Sequence, residues 1–234
     1  MKPKEFEDSE FGTITIVQRS SARHIIFRVR QGRIFITIPP GFSISSLTRH
    51  IEENRKCIKK LLEKKRPLLQ VGDIIVAHDF TIHIVGHDNS EEVRFSLDNR
   101  LLTVSCPVYI PAEDSLLQQS LKKGICRFLH ESALAFLPQR AEAISRQLNV
   151  EYASLSISHG RQRLGKCDVR RNITLSYYLM LMPDRLIDYV ICHELAHLKE
   201  MNHGAGFHEI CNRYCNGNEK ILEKELKRFP FPFD

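Results

Sequence analysis

Hydrophobic and polar positions alternate in short runs at the start of the chain, then take up a helical period. Between Phe11 and Pro39 lie three runs, TITIV, HIIFRV and RIFITIP, rich in β-branched residues. Such residues are stiff about χ1 and pack well on a pleated surface. Ile14 and Ile16, then Ile34, Phe35, Ile36 and Ile38, give a sheet with at least one buried face, and Gly32 supplies the turn between the second and third runs. Leu47, Ile51, Ile58 and Leu62 follow at the spacing of one helix face; Ser43 or Ser45 caps that helix, and Pro67 lies beyond its end.

A similar order then recurs. DIIVA, TIHIV and EVRFSL lead through Asp98-Asn99 into LLTVS, Pro107 and Pro111, and a helix from about Asp114. Comparing Gly32–Pro39 with Asn99–Pro107 suggests one strand–strand–helix unit written twice, each copy feeding a Ser-capped amphipathic helix. The second helix carries Leu116, Leu117, Leu121, Ile125, Phe128 and Leu129; Gly124 weakens it without ending it, Pro138 kinks or restarts it, and it runs on to Asn149. Two short strands, SLSIS and NITLS, flank a basic loop over 160–171, GRQRLGKCDVRR. A bridge over 177–182, a helix from Pro183, and closing helices over 205–215 and 219–228 complete an α+β chain. Its β-rich N-terminal region takes residues 1–111, and its C-terminal region takes 112–234.

The helix from Pro183 holds the chemistry. Its pentad His193-Glu194-Leu195-Ala196-His197 is an H-E-x-x-H pattern flanked by Leu186, Ile187, Val190 and Ile191. Residues four apart share a helix face, so two imidazoles can share one tetrahedral zinc ion at about 2.0–2.1 Å. Glu194 points to one side of that pair and suits a general base acting on water. A catalytic zinc needs a third protein ligand. His203, at the helix-ending Asn202-His203-Gly204, is favoured over His208, and Glu209 would serve if a carboxylate came from the next helix. The bland alternative is an amphipathic helix with surface or core histidines, and the third histidine past a helix stop weighs against it.

Composition narrows the rest. With 42% hydrophobic and 26% charged residues, and no apolar run near the roughly 20 residues that span a bilayer, this reads as an ordinary globular chain. The start, MKPKEFEDSEFG, lacks the apolar core of a signal peptide, so the expected location is the cytoplasm. Seven cysteines without a C-x-x-C pair argue against a disulfide framework. Cys57, Cys126 and Cys192 fall in apolar helical patterns, and Cys211 and Cys215 form at most a second metal pair. The net charge of +6 permits a nucleic-acid partner without requiring one, since its one dense basic tract, 55–66, also reads as a solvated helix face.

The segments RLGKC (163–167), NITLSYYLMLMP (172–183), YVICHELAHL (189–198) and NHGAGFH (202–208) resemble the YgjP-type metal-dependent hydrolases, whose domain is zincin-like, and HGAGF resembles the third-ligand segment of SprT-like and WLM proteases. The resemblance implies a zinc metallopeptidase acting on peptide or protein substrates, with His193, His197 and His203 on the metal and Glu194 as base. Leu164 and Lys166 stand where the YgjP type usually has Trp and Ser, and Ser176-Tyr177 where it has Asn followed by Trp or Tyr; neither change touches a ligand. Strand 172–176 is expected to offer an edge to an extended substrate. Arg163, Arg170, Arg171, His159, Tyr177 and Tyr178 are the nearby candidates for oxyanion stabilisation. Two other readings stay open: a nucleic-acid-associated module with structural zinc, and a metal-binding scaffold without activity.

Overall fold

A computed structural model describes residues 4–30, 33–63 and 68–233. The turn at Gly32, the basic residues 64–66 and Pro67 lie outside the described residues. The chain forms two compact units, residues 1–66 and 67–234.

In the first unit, β1 (Lys4–Asp8), β2 (Gly12–Gln18), β3 (Ile26–Arg30) and β4 (Arg33–Ile38) form a sheet in the order β1-β2-β4-β3, followed by helix α1 (Leu47–Glu63). β1 has no apolar alternation to announce it, since KEFED buries only part of its surface; it is recruited by antiparallel pairing with β2. Ile14, Ile16, Ile34, Ile36 and Ile38 close a core with Leu47, Ile51 and Ile58 of α1. No serine hydroxyl is needed to start this helix: a 3-10 turn over Ile44–Ser46 leads into it, with Ser46 donating from its amide and hydroxyl to the Ser43 carbonyl. Cys57 is exposed, off the apolar stripe. The basic tract is partly neutralised, because Arg55 bonds Asp8, Glu10 and Glu52 while Lys59 pairs with Glu10.

The second unit opens with the same topology. Strands β5 (Ile74–Val76), β6 (Thr81–His87), β7 (Arg94–Asp98) and β8 (Leu101–Pro107) run in the order β5-β6-β8-β7, and helix α2 (Ser115–Leu148) follows. Ile14 pairs in parallel with Ile34, and Ile82 in parallel with Leu102, at the same spacing. One displacement carries Arg30↔Arg33 onto Asp98↔Leu101 as well. The duplication in the sequence is thus a repeat of strand order and register.

The copies diverge after the sheet. Asp114, not a serine, caps α2 by accepting from the Leu117 amide at 2.7 Å. The helix then runs 34 residues through Pro138 without restarting. The carbonyl that the missing Pro138 amide would have engaged belongs to Leu134, which is 53% exposed, so water can satisfy it. Gly124 is where the Phe95 ring of β7 lies against the helix; a Cβ there would sit 2.0 Å from that ring. Asn149 ends α2 in the left-handed conformation, φ 52°.

β5–β8 share one hydrophobic core with α2 and everything beyond it, which is why this unit starts at residue 67 and not at the residue-112 boundary read from the sequence. A second sheet, β9 (Ser154–Ser158), β10 (Gly165–Cys167) and β11 (Asn172–Ser176), has the order β10-β11-β9. β10 lies inside what reads as a loop. Strand 172–176 is therefore central, antiparallel to β10 and parallel to β9, and offers no free edge. A buried 3-10 turn over Tyr177–Leu181 leads to α3 (Asp184–Ala196), α4 (Ala205–Tyr214) and α5 (Glu219–Arg228). No helix among the described residues is long and apolar enough to cross a membrane.

The two faces of α2 give a direct test. Leu121 is fully buried and Leu116 is 70% exposed. Leu121→Ala is expected to cost about 2–5 kcal/mol and Leu116→Ala under about 0.5 kcal/mol in urea unfolding.

Candidate metal centre

Pro183 precedes the first turn of α3, where its missing amide is harmless, and Asp184 adds an acid at the positive end of the helix. Leu186, Ile187, Val190, Ile191 and Leu195 bury this helix in the core. That fixes the rotation of the helix and so the direction of His193. The helix ends at Ala196, earlier than the Asn202-Gly204 signal suggests. His197 is its C-cap, still in helical conformation at φ −62°, ψ −20°, and its amide reaches the His193 carbonyl at 3.3 Å. The i, i+4 relation survives on this last turn. Beyond it, Lys199 and Glu200 donate back to the Ala196 carbonyl, and the chain reverses through Gly204 into α4.

This reversal brings His203 to the other two histidines. The Nε2 atoms of His193 and His203 are 3.1 Å apart, and one nitrogen from each of His193, His197 and His203 lies within 4.8 Å of the others. The Nδ1 of His197 faces the Glu200 carbonyl at 3.2 Å. Such a bond fixes the tautomer and leaves Nε2 with its lone pair outward. Nitrogens bound to one tetrahedral ion at 2.0–2.1 Å would stand about 3.3–3.4 Å apart. The His193–His203 pair is near that spacing, the third nitrogen is within 4.8 Å, and three imidazoles are a donor set that zinc, copper, iron and nickel accept. The residues fit a metal.

Sequence reasoning missed two parts of the site. Phe207, fully buried in the first turn of α4, has its ring centre 4.8, 4.5 and 4.7 Å from those of His193, His197 and His203. It is the floor on which the imidazoles rest. The other is β10. A Cβ at Gly165 would fall 2.3 Å from Glu194 Oε1, so the strand approaches the carboxylate more closely than a residue with a side chain allows. The H-G-A-G-F and R-L-G-K-C segments contain both residues, but only tertiary contact gives them these tasks.

Burial dominates the electrostatics. It lowers His193 to about 4, with the neighbouring His197 and His203 adding to the effect, and it lowers His197 too. Both rings are therefore neutral at pH 7, the form that binds metal. Glu194, 5% exposed, is raised to about 7 by burial, while the Arg163 charge and the Cys167 amide pull it down.

The rival ligands are placed elsewhere. His208 Nδ1 lies 2.7 Å from the buried Glu219 carboxylate, and Glu209 is exposed outside the histidine group. Of the oxyanion candidates, only Arg163 acts on Glu194. Tyr177 and Tyr178 are stacked in the core, His159 stacks on His130, and Arg171 bonds the Glu151 carbonyl. All seven cysteines are free thiols; Cys192, Cys211 and Cys215 are buried together between α3 and α4 but do not join the metal-competent groups among the described residues.

Residues 23–229 match the YgjP-like family, metallopeptidase domain. The chain belongs to this family, and with it to the metal-dependent peptidases. None of the curated proteins compared with it matches. Among solved structures, it is similar to the metallopeptidase zymogen jannalysin of Methanocaldococcus jannaschii, with 24% identity and a TM-score of 0.35 over 39% of this chain and 94% of that one. It is also similar to the zymogen abylysin of Pyrococcus abyssi, with 20% identity and a TM-score of 0.32 over 41% of this chain and all of that one.

The raised carboxyl has a consequence for stability. Below pH 4.5 both folded and unfolded chains hold the Glu194 proton, and there is no penalty. From 4.5 to about 7 the unfolded chain loses it while the folded one keeps it, so stability falls as pH rises, and above 7 the full cost of a buried carboxylate is felt. In metal-free protein, Glu194→Gln is expected to be stabilising at pH 8 by on the order of 3 kcal/mol and near neutral at pH 4. Denaturant titration at the two pH values measures it.

Proposed function

We propose that the protein is a zinc-dependent peptidase in which His193, His197 and His203 hold the ion and Glu194 is the general base. The observation that carries this is the convergence of three imidazoles, with a nearly buried carboxylate one residue along the helix from His193. When bound, zinc supplies Lewis acidity for the peptide carbonyl and for a water molecule. The rest is done by the chain's own groups. Glu194 takes the proton from the attacking water and delivers it to the leaving nitrogen, and a carboxyl that titrates near neutral pH can do both. β10 holds that carboxylate in place through the Cys167 amide and through the absence of a side chain at Gly165. Arg163 contributes positive charge on the same side. Because β11 is paired on both edges, an extended substrate would be aligned by β10, whose second edge is unpaired among the described strands.

Purified protein is expected to bind one zinc per chain, and His203→Ala to lose most of it. Glu194→Gln is expected to keep the metal and lose about 10²–10⁴-fold in peptide hydrolysis. A Glu194→Gln protein as active as the parent would remove the assigned base.

Gly165→Ala separates holding the carboxylate from holding the metal. The added methyl must displace Glu194, so kcat is expected to fall at least tenfold with zinc content unchanged.

A further inference from the structure

Beside the histidine cluster, a cleft of about 300 Å³ opens between α3, α5 and the segment before β10. Its walls are Leu164, Tyr189, Val190 and Leu226, and His193 and Glu194 stand at its end. At the small end of the usual size of ligand pockets, it suits a single side chain with its backbone better than an extended organic ligand. Arg161, Glu223 and Lys227 also line it, the last two as an ion pair. The wall is held from behind: the Arg161 guanidinium lies 5.3 Å over the Phe231 ring, and Phe233 is fully buried, its ring centre 6.1 Å from that of Tyr178.

We propose that this cleft is the specificity pocket of the site and takes an uncharged apolar side chain, of leucine to phenylalanine size, from the residue next to the scissile bond. The proposal rests on the hydrolytic reading of the histidine cluster. Its logic is steric and dielectric. A side chain lying between Val190 and Leu226 brings its own backbone to His193 and Glu194. An apolar group there leaves water for a largely apolar wall, whereas a carboxylate or ammonium would lose hydration where lining charges are already engaged, Arg161 with the Phe231 ring and Lys227 with Glu223. The preference arises from rejection as much as from attraction.

The test uses the full zinc-loaded chain and a peptide library varied on both sides of the scissile bond. Leu, Met or Phe at one of the two flanking positions is expected to raise kcat/KM by about ten- to a hundredfold over Asp or Lys there. Leu226→Trp, which fills the cleft from its half-exposed wall, is expected to shift the preference toward Ala and Gly with bound zinc unchanged; Leu226→Ala is expected to shift it toward larger side chains. A uniform loss in both variants with the preference unaltered overturns the proposal. A second readout needs no turnover: N-acetyl-leucinamide, but not N-acetyl-aspartamide, is expected to shift the methyl NMR signals of Leu164, Val190 and Leu226. Shifted methyls without hydrolysis of any peptide would keep the pocket and sink the hydrolytic reading. Hydrolysis without preference and with silent methyls would do the reverse.

Discussion

Three imidazoles packed around one buried phenylalanine ring set the terms for the rest of this protein. Left without a cation, His193 and His203 hold nitrogens 3.1 Å apart in a setting where burial disfavours protonating His193. That is an uncomfortable arrangement to maintain, and the fold maintains it from several directions. The buried side of α3 fixes the first two histidines, the chain reversal through Gly204 delivers the third, and Phe207 prevents any of them from collapsing inward. A cluster over-determined in this way is what a metal finds pre-organised, and the ordering cost is met during folding and not during binding.

The same burial that keeps the histidines neutral raises Glu194 to about 7. One environment thus pushes an acid up and a base down, to about 7 for Glu194 and about 4 for His193. The unit is built so that both effects fall on one helix turn. α3 is sunk in the core along most of its length and meets β10 at Glu194, and its last residues, Glu194, Leu195 and Ala196, are buried. The long helix α2 and the buried 3-10 turn over Tyr177–Leu181 supply the apolar bed that makes this depth possible. Family membership and the site agree here on independent grounds: residues 23–229 match the YgjP-like metallopeptidase domain, and the histidines converge in space.

Much of this was legible in order along the chain, because the signals are local. Alternating isoleucines gave β2 and β4, Asp98-Asn99 gave the turn between β7 and β8, and the H-E-x-x-H period put two histidines on one face. The repeated strand–strand–helix unit showed through in outline, while its four-strand order and its register became visible only in the pairings. β1 and β10 were not legible: KEFED and GKC have no apolar alternation, and they become strands only because a neighbouring strand offers its amides and carbonyls. Pro138 left a kink or a restart open; the helix does not restart, and sequence cannot say that Leu134, whose carbonyl loses its donor, is exposed.

What the residues alone determined is therefore the chemistry: which groups can hold a metal, which can move a proton, and which segments can bury themselves. Tertiary structure decided among those options. It brings His203 beside His193 and His197 while setting His208 against Glu219, and it puts β11 in the middle of its sheet by supplying β10. It also made Phe207 and Gly165 part of the site through contacts with no fixed spacing in the chain. Periodicity reports which face of an element is buried, but not what it is buried against. That second fact depends on long-range packing, where residues far apart in sequence compete for the same space.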